Sequence, residues 1–336
     1  MTMSENHTTA TRHDIAPLDR SAPVYVAGHR GLVGSAVWRA LDTAGFTDLH
    51  GRTSAELDLT DRAATFDFFR ETKPAAVVVA AAKVGGILAN DTRPVDFLSR
   101  NLQIQVNVLD AALDVEVPRL LFLGSSCVYP KFAPQPIRED ALLTGPLEPT
   151  NDAYAIAKIA GILQVQAVRR QYGLPWISAM PTNLYGPNDN FSPTASHVLP
   201  ALIRRYDEAA RTAAPSVTNW GSGSPQRELL HVDDLASALL YLLDHFDGPQ
   251  QVNIGTGVDH TIRGIAEIVA GAVGFDGTTE WDTSKPDGTP RKVLDVSTLR
   301  ALGWRPSIDL RDGIAETVAW YRAHRDDLAH ADRVHS

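Results

Sequence analysis

The chain has 336 residues, of which 44% are hydrophobic and 21% charged, with a formal net charge of −9 and a single cysteine. That length exceeds one ordinary hydrophobic core, so two packed lobes are expected, and the acidic balance excludes a broad nucleic-acid surface, which needs a basic stripe. One cysteine excludes an intrachain disulfide, and the most apolar run, residues 75–82, is too short to cross a bilayer. A cytoplasmic protein is expected, with no membrane or nucleic-acid partner and no metal site.

Residues 1–21 are polar and read as a disordered extension, not a signal peptide. Val24–Ala27 reads as a short buried strand, followed by a glycine turn and a helix that closes near Gly45. Further apolar strands are expected at 75–82 and 119–126, with amphipathic helices over 94–113 and 154–173. Continuous apolar strands alternating with helices predict a parallel sheet covered on both faces, an α/β fold of the doubly wound Rossmann type. This domain is expected over 22–180, with sheet segments returning at about 229–256. From Pro181 the chain turns rich in Pro, Asn and Ser, and a long loop precedes the last helix. Such loops are more often functional than idle, so 181–228 and 257–336 are expected to form a smaller, discontinuous substrate lobe.

Gly28, Gly31 and Gly34 lie between the first strand and its helix. A turn of this kind lets backbone N–H groups approach a pyrophosphate with the helix N-terminus behind them, although a merely structural turn can carry the same glycines. An NAD-preferring site places an acidic group at the end of the second strand. Here that stretch offers Arg52, and Arg30 lies inside the glycine turn. Two guanidinium groups suit a 2′-phosphate, so NADP(H) is the expected cofactor. Asp58 suits either an adenine amine or a helix cap.

Tyr154 and Lys158, four residues apart, project from one helix face. An ammonium beside a phenol is expected to bring its pKa down from ~10 toward the range where it exchanges protons. Ser125 stands at the C-terminal end of a parallel strand, where ligands bind in such sheets. Cys127, two residues on, reads either as a small buried hydrophobe or as a working thiol. His197 reads either as an acid–base group or as a cap for the helix after it.

In this order, G-x-x-G-x-x-G, the serine, Tyr-x-x-x-Lys, "LLHVDDLA" and "NIGTG" resemble the extended short-chain dehydrogenase/reductases, over roughly residues 22–325. Five longer stretches, "GHRGLVGSA", "GSSCVYPK", "EPTNDAYAIAKIAG", "PTNLYGPNDNFSP" and "KPDGTPRK", are similar to one branch of that family. Its members epimerise and reduce GDP-4-dehydro-6-deoxy-D-mannose with NADPH, giving GDP-L-fucose. The resemblance implies Cys127 as base and His197 as acid for inversion at C3 and C5, with His197 as the cation that activates the thiol. It implies Tyr154 and Ser125 at the C4 oxygen, with Lys158 binding the nicotinamide ribose. Dinucleotide contacts are implied for Gly28, His29, Arg30, Gly31, Leu32, Val33, Gly34, Arg52, Asp58, Leu59, Leu123, Gly124, Ser125, Ser126, Lys158, Pro181, Thr182, Asn183, Leu184 and His197. Sugar-nucleotide contacts are implied for Arg205, Trp220, Arg227 and Asp287, and a homodimer through the helices at 94–113 and 154–173. Two alternatives stay open: another NAD(P)-dependent nucleotide-sugar epimerase or dehydratase, or a non-catalytic NADP-binding regulator. A dehydratase would need carboxyl groups after the serine, where this chain has Ser126 and Cys127.

Overall fold

The computed structural model describes residues 16–193, 196–285 and 287–335. The chain runs β1 (Val24–Ala27), α1 (Leu32–Thr43), β2 (Leu49–His50), α2 (Arg62–Thr72), β3 (Ala76–Val79), α3 (Ile87–Thr92), α4 (Pro94–Asp114), β4 (Arg119–Leu123), α5 (Asp152–Tyr172) and β5 (Ile177–Pro181). It continues through β6 (Asn183–Tyr185), α6 (Val198–Arg211), β7 (Ser216–Trp220), β8 (Gln226–His231), α7 (Val232–His245) and β9 (Val252–Ile254). The last elements are β10 (Asp259–Thr261), α8 (Ile262–Val273), β11 (Thr278–Asp282), β12 (Arg291–Lys292), α9 (Ser297–Leu302) and α10 (Leu310–His335).

Six strands form one sheet in the order β2-β1-β3-β4-β5-β9, every pairing parallel. Successive side chains of a strand point to opposite faces, and β1 divides accordingly. Val24 and Val26 pack with α1 and α7 on one face, while Tyr25 and Ala27 pack with α2, α4 and α5 on the other. Both faces are therefore dry, which is why these strands read as unbroken apolar runs. Trp176, fully buried in the second layer, donates its indole N–H to the Val117 carbonyl at 2.8 Å, so its polar atom costs nothing.

Chain order reverses between β1 and β3, which makes the C-terminal edge of that pair a ligand-binding crevice. The loop leaving β3 is fixed there by Asn101 of α4. Its side chain accepts from Lys83 N at 2.7 Å and donates to Lys83 O at 3.0 Å.

A third core belongs to the smaller lobe, where Leu199, Leu202 and Ile203 of α6 meet Ile265 and Val269 of α8 and Ile314 and Val318 of α10. Of the stretch 229–256, β9 rejoins the large sheet and α7 covers it. β8 does not; it pairs with β6, β10 and β12 in a separate sheet. Of the extension expected over 1–21, residues 1–15 lie outside the described residues. The remainder is docked: Leu18 N donates to Asp244, and Arg20 pairs with Asp244 at 2.8 Å while covering the Phe46 ring. Among the described residues, no helix is long and apolar enough to cross a membrane.

Candidate active site

Gly28 sits in the left-handed region at φ +82°, and a Cβ there would lie 2.9 Å from the Ala81 backbone. α1 begins at Gly31 with no side-chain cap and no acidic residue in its first turn. Its first N–H groups, around Leu32 and Val33, are left facing the turn with the helix's partial positive charge. That donor set fits a dinucleotide pyrophosphate. His29 packs against Gly51 and beside Trp38.

Arg30 and Arg52 are both exposed, and both act on the carboxylate of Glu56. Glu56, which the sequence reading passed over, is held by Thr53 N and Oγ1 at 2.7 and 2.8 Å. The cationic mouth thus carries one tethered anion. Asp58 accepts from Thr60 N and Oγ1 at 2.9 and 2.8 Å through Oδ1, building the turn before Asp61, the actual cap of α2. The helix-cap reading of Asp58 is therefore not realised, since Asp61 takes that place. The neighbouring Leu59 carbonyl accepts from Asn107.

At the end of β4, buried Leu123 and Gly124 lead to Ser125, which caps a short 3₁₀ turn over Ser126–Val128 and accepts from Cys127 N at 3.4 Å. Gly161 lets α5 lie close against β4, since a Cβ there would fall 2.3 Å from the Phe122 ring. That approach lets buried Lys158 reach the Leu123 carbonyl at 2.8 Å, with its ammonium 5.9 Å from the Tyr154 ring centre. Burial lowers Lys158 to about 8 against the opposing pull of Cys127, so it remains charged at neutral pH.

Two expectations are corrected here. Burial pushes the Tyr154 phenol up and the Cys127 charge adds to it, so the phenol stays protonated and is not drawn toward neutrality by Lys158. The thiol of Cys127, only 9% exposed, is also pushed up by burial, and the cations that draw it back are Lys292 and Lys158, not His197. His197 is the residue that starts α6, and it is exposed. The protein around it, and then Lys292, push its pKa down, which keeps it neutral. The charge of Lys292 thus acts on both Cys127 and His197.

Pro181 closes β5 in a buried position, and the next side chains turn away from it: Thr182 Oγ1 and Asn183 Nδ2 both donate to the Glu228 carbonyl. Arg227 donates to Thr289 O at 2.6 Å and Gln226 O at 2.8 Å, and Thr289 Oγ1 donates to Glu148. Arg205 is tied to Thr218 O at 3.2 Å, and Asp287 accepts from Ser222 N and Oγ at 2.9 and 2.7 Å. Trp220, 73% exposed with Lys285 near its ring, stands free as a flat wall. Arg227 thus joins the Cys127 group through Lys292, while Arg205, Trp220 and Asp287 gather at the far end of β7.

Asp189, buried in the loop after β6, accepts from Asn190 N at 2.7 Å, and its Oδ2 has no partner among the described residues. Burial lifts its carboxyl from 3.8 to about 7. The folded chain then keeps a proton that the unfolded chain releases, so this stabilisation is full below about pH 4 and is lost as pH rises through about 7. Asp189→Asn is expected to stabilise the protein above pH 7, by on the order of 2–4 kcal/mol, with little effect near pH 4. Melting temperatures across that range check it; a difference independent of pH would contradict it.

A profile of the NAD dependent epimerase/dehydratase family matches residues 24–255. The chain is 60% identical over 303 residues to GDP-L-fucose synthase 1 of Arabidopsis thaliana, covering 90% of this chain and 94% of that one. It is 51% identical over 312 residues to the GDP-L-fucose synthase of Escherichia coli (strain K12), covering 90% and 97%. A solved GDP-L-fucose synthetase of Naegleria fowleri bound to NADP superposes with a TM-score of 0.86 at 28% identity, covering 96% of this chain and 99% of that one.

Proposed function

The chain belongs to the NAD dependent epimerase/dehydratase family, and on that premise we propose that it converts GDP-4-dehydro-6-deoxy-D-mannose into GDP-L-fucose with NADPH. The observation that carries this reading is the grouping of Cys127, Tyr154 and Lys158 at the end of β4, with the Lys158 ammonium 5.9 Å from the Tyr154 ring and bonded to the Leu123 carbonyl, and Cys127 acting on both. A 4-epimerase or a dehydratase has no use for that thiol.

Cys127, as thiolate, takes a proton from a carbon beside the C4 ketone. The S–H bond forms as the C–H bond breaks, and the electron pair moves to the ketone oxygen as an enolate. His197, mostly neutral at rest, returns a proton to the opposite face from its cationic fraction, which inverts the carbon; its lowered pKa makes that form the stronger acid. NADPH, when bound, supplies the hydride that reduces C4. Tyr154, held protonated, then donates to the developing alkoxide while the Ser125 hydroxyl bonds the same oxygen. The Lys158 ammonium steadies the phenolate that remains.

In this reading residues 22–180 with 229–256 hold the cofactor, Arg30 and Arg52 meet its 2′-phosphate, and 181–228 with 257–336 hold the sugar nucleotide. Arg227 and Arg205 then offer charge to the diphosphate, and Trp220 and Asp287 line the nucleotide and sugar. Work in the cytoplasm suits a free thiol that must stay reduced. Exposed Val106 on α4, with Ile156 and Leu163 on α5, supports a homodimer through these two adjacent helices. A solution mass of two chains is the expected result, and a mass of one chain would contradict it.

Incubation with NADPH and the keto-sugar tests the activity directly. Loss of reduced nicotinamide absorbance together with GDP-L-fucose is expected. A reduced sugar with C3 and C5 unchanged would remove the epimerase half, and no loss of absorbance would remove the reductase.

A further inference from the structure

Cys127 is the middle residue of the short turn Ser126–Val128, and the two ends of that turn are held differently. At its start Ser125 leaves β4, accepting from Cys127 N at 3.4 Å through its hydroxyl and from Val128 N at 3.1 Å through its carbonyl. At its close stands Tyr129, whose backbone N–H makes only a long bond, 3.4 Å, to Ser126 O. The side chain makes a much shorter one. Its hydroxyl donates to Asn253 Oδ1 at 2.6 Å. Asn253 lies on β9, the edge strand two places from β4 in the large sheet, so the turn that leaves one strand is moored to another.

Asn253 offers a fixed acceptor. It is fully buried, its Nδ2 donates to Ile137 O at 2.9 Å and to Asp295 O at 3.1 Å, and its backbone N–H donates to Glu139 at 3.2 Å. Asp295 N closes the ring by donating to Ile137 O at 2.8 Å, and Gln251 donates to Glu139 O at 2.7 Å. Tyr129, Glu139, Gln251 and Asn253 are all buried. A polar network bonded throughout in a dry interior specifies one arrangement. Burial, and then the Glu139 charge, push the Tyr129 phenol up, so it remains a donor.

We propose that Tyr129 is a positioning residue for the epimerisation: its bond to Asn253 fixes the far end of the turn that carries Cys127, and so sets where the sulfur stands against the sugar carbon. This rests on the epimerase reading of the site. Ser125 is held at the strand end, and Tyr154 and Lys158 stand on α5. None of the three depends on that mooring, so the reduction should be indifferent to it. Proton removal from carbon should not be, because the base must come within bonding reach of the hydrogen it takes.

Tyr129→Phe removes one hydroxyl and keeps the ring. Two measurements at equal concentrations of folded protein decide its effect. Exchange of the C3 and C5 hydrogens with deuterated buffer follows the epimerisation. Formation of NADPH in one turnover from GDP-L-fucose and NADP⁺ follows the other half alone, C4 giving its hydride to the nicotinamide and its hydroxyl proton to the phenolate form of Tyr154. Exchange is expected to fall about 10–100-fold with the KM for the keto-sugar unchanged, while NADPH formation stays within about twofold of wild type. Asn253→Ala removes the same bond from the acceptor side and is expected to give the same split, should Tyr129→Phe fail to fold. Wild-type exchange in the folded variant would overturn the proposal, as would an equal loss of both halves, the mark of a general loosening. Wild-type protein that neither exchanges these hydrogens nor forms NADPH would overturn the epimerase reading and the proposal with it, a failure seen before any variant is compared.

Discussion

Cys127→Ser is expected to cut exchange of the C3 and C5 hydrogens with solvent by about 10²–10⁴-fold while leaving NADPH binding intact. The hydroxyl is a far weaker acid than the thiol, so almost none is ionised near neutral pH, and the Lys292 charge cannot make up that gap. The side chain differs by one atom, and the backbone bond from Cys127 N to Ser125 does not involve it. Fold and cofactor site should therefore survive. Exchange followed by NMR in deuterated buffer, with NADPH affinity measured on the same sample, checks the prediction. Wild-type exchange in the variant would refute Cys127 as the base.

Tyr154→Phe is expected to separate the two halves of the reaction in the other direction. Loss of the phenol removes the proton for the C4 alkoxide, lowering NADPH oxidation by about 10²–10⁴-fold. Exchange at C3 and C5 should persist, because the cations that act on the Cys127 thiol are Lys292 and Lys158, and both remain in place. Single-turnover NADPH oxidation and proton exchange, measured side by side, decide it. Equal loss of both would mean that one group serves both steps.

Much of this arrangement was legible along the chain because it is local. The apolar run of β1, the glycine turn into α1 and the Tyr154–Lys158 spacing each lie within a few turns of one element. Ser125 and Cys127 follow a strand end, which fixes where they emerge. What escaped was set by pairing between distant segments. Lys292 reads as one more lysine in a polar loop, and only the alignment of β12 with β8 sets it beside Arg227. Glu228 reads as a strand residue, yet it is fully buried and binds the loops on either side. Burial also reversed the expected direction for Tyr154, because neighbours in sequence do not report how deeply a phenol is enclosed. Asp287 is held by Ser222 N and Oγ, a tie across 65 residues of sequence that position in a loop does not announce.

The most direct test of the central claim is one turnover of the wild-type enzyme in deuterated water, with NADPH and GDP-4-dehydro-6-deoxy-D-mannose. GDP-L-fucose carrying solvent deuterium at both C3 and C5, and none of it at C4, is the predicted product. A reduced sugar with no solvent deuterium at C3 or C5 would contradict it, because no thiolate would then have touched either carbon.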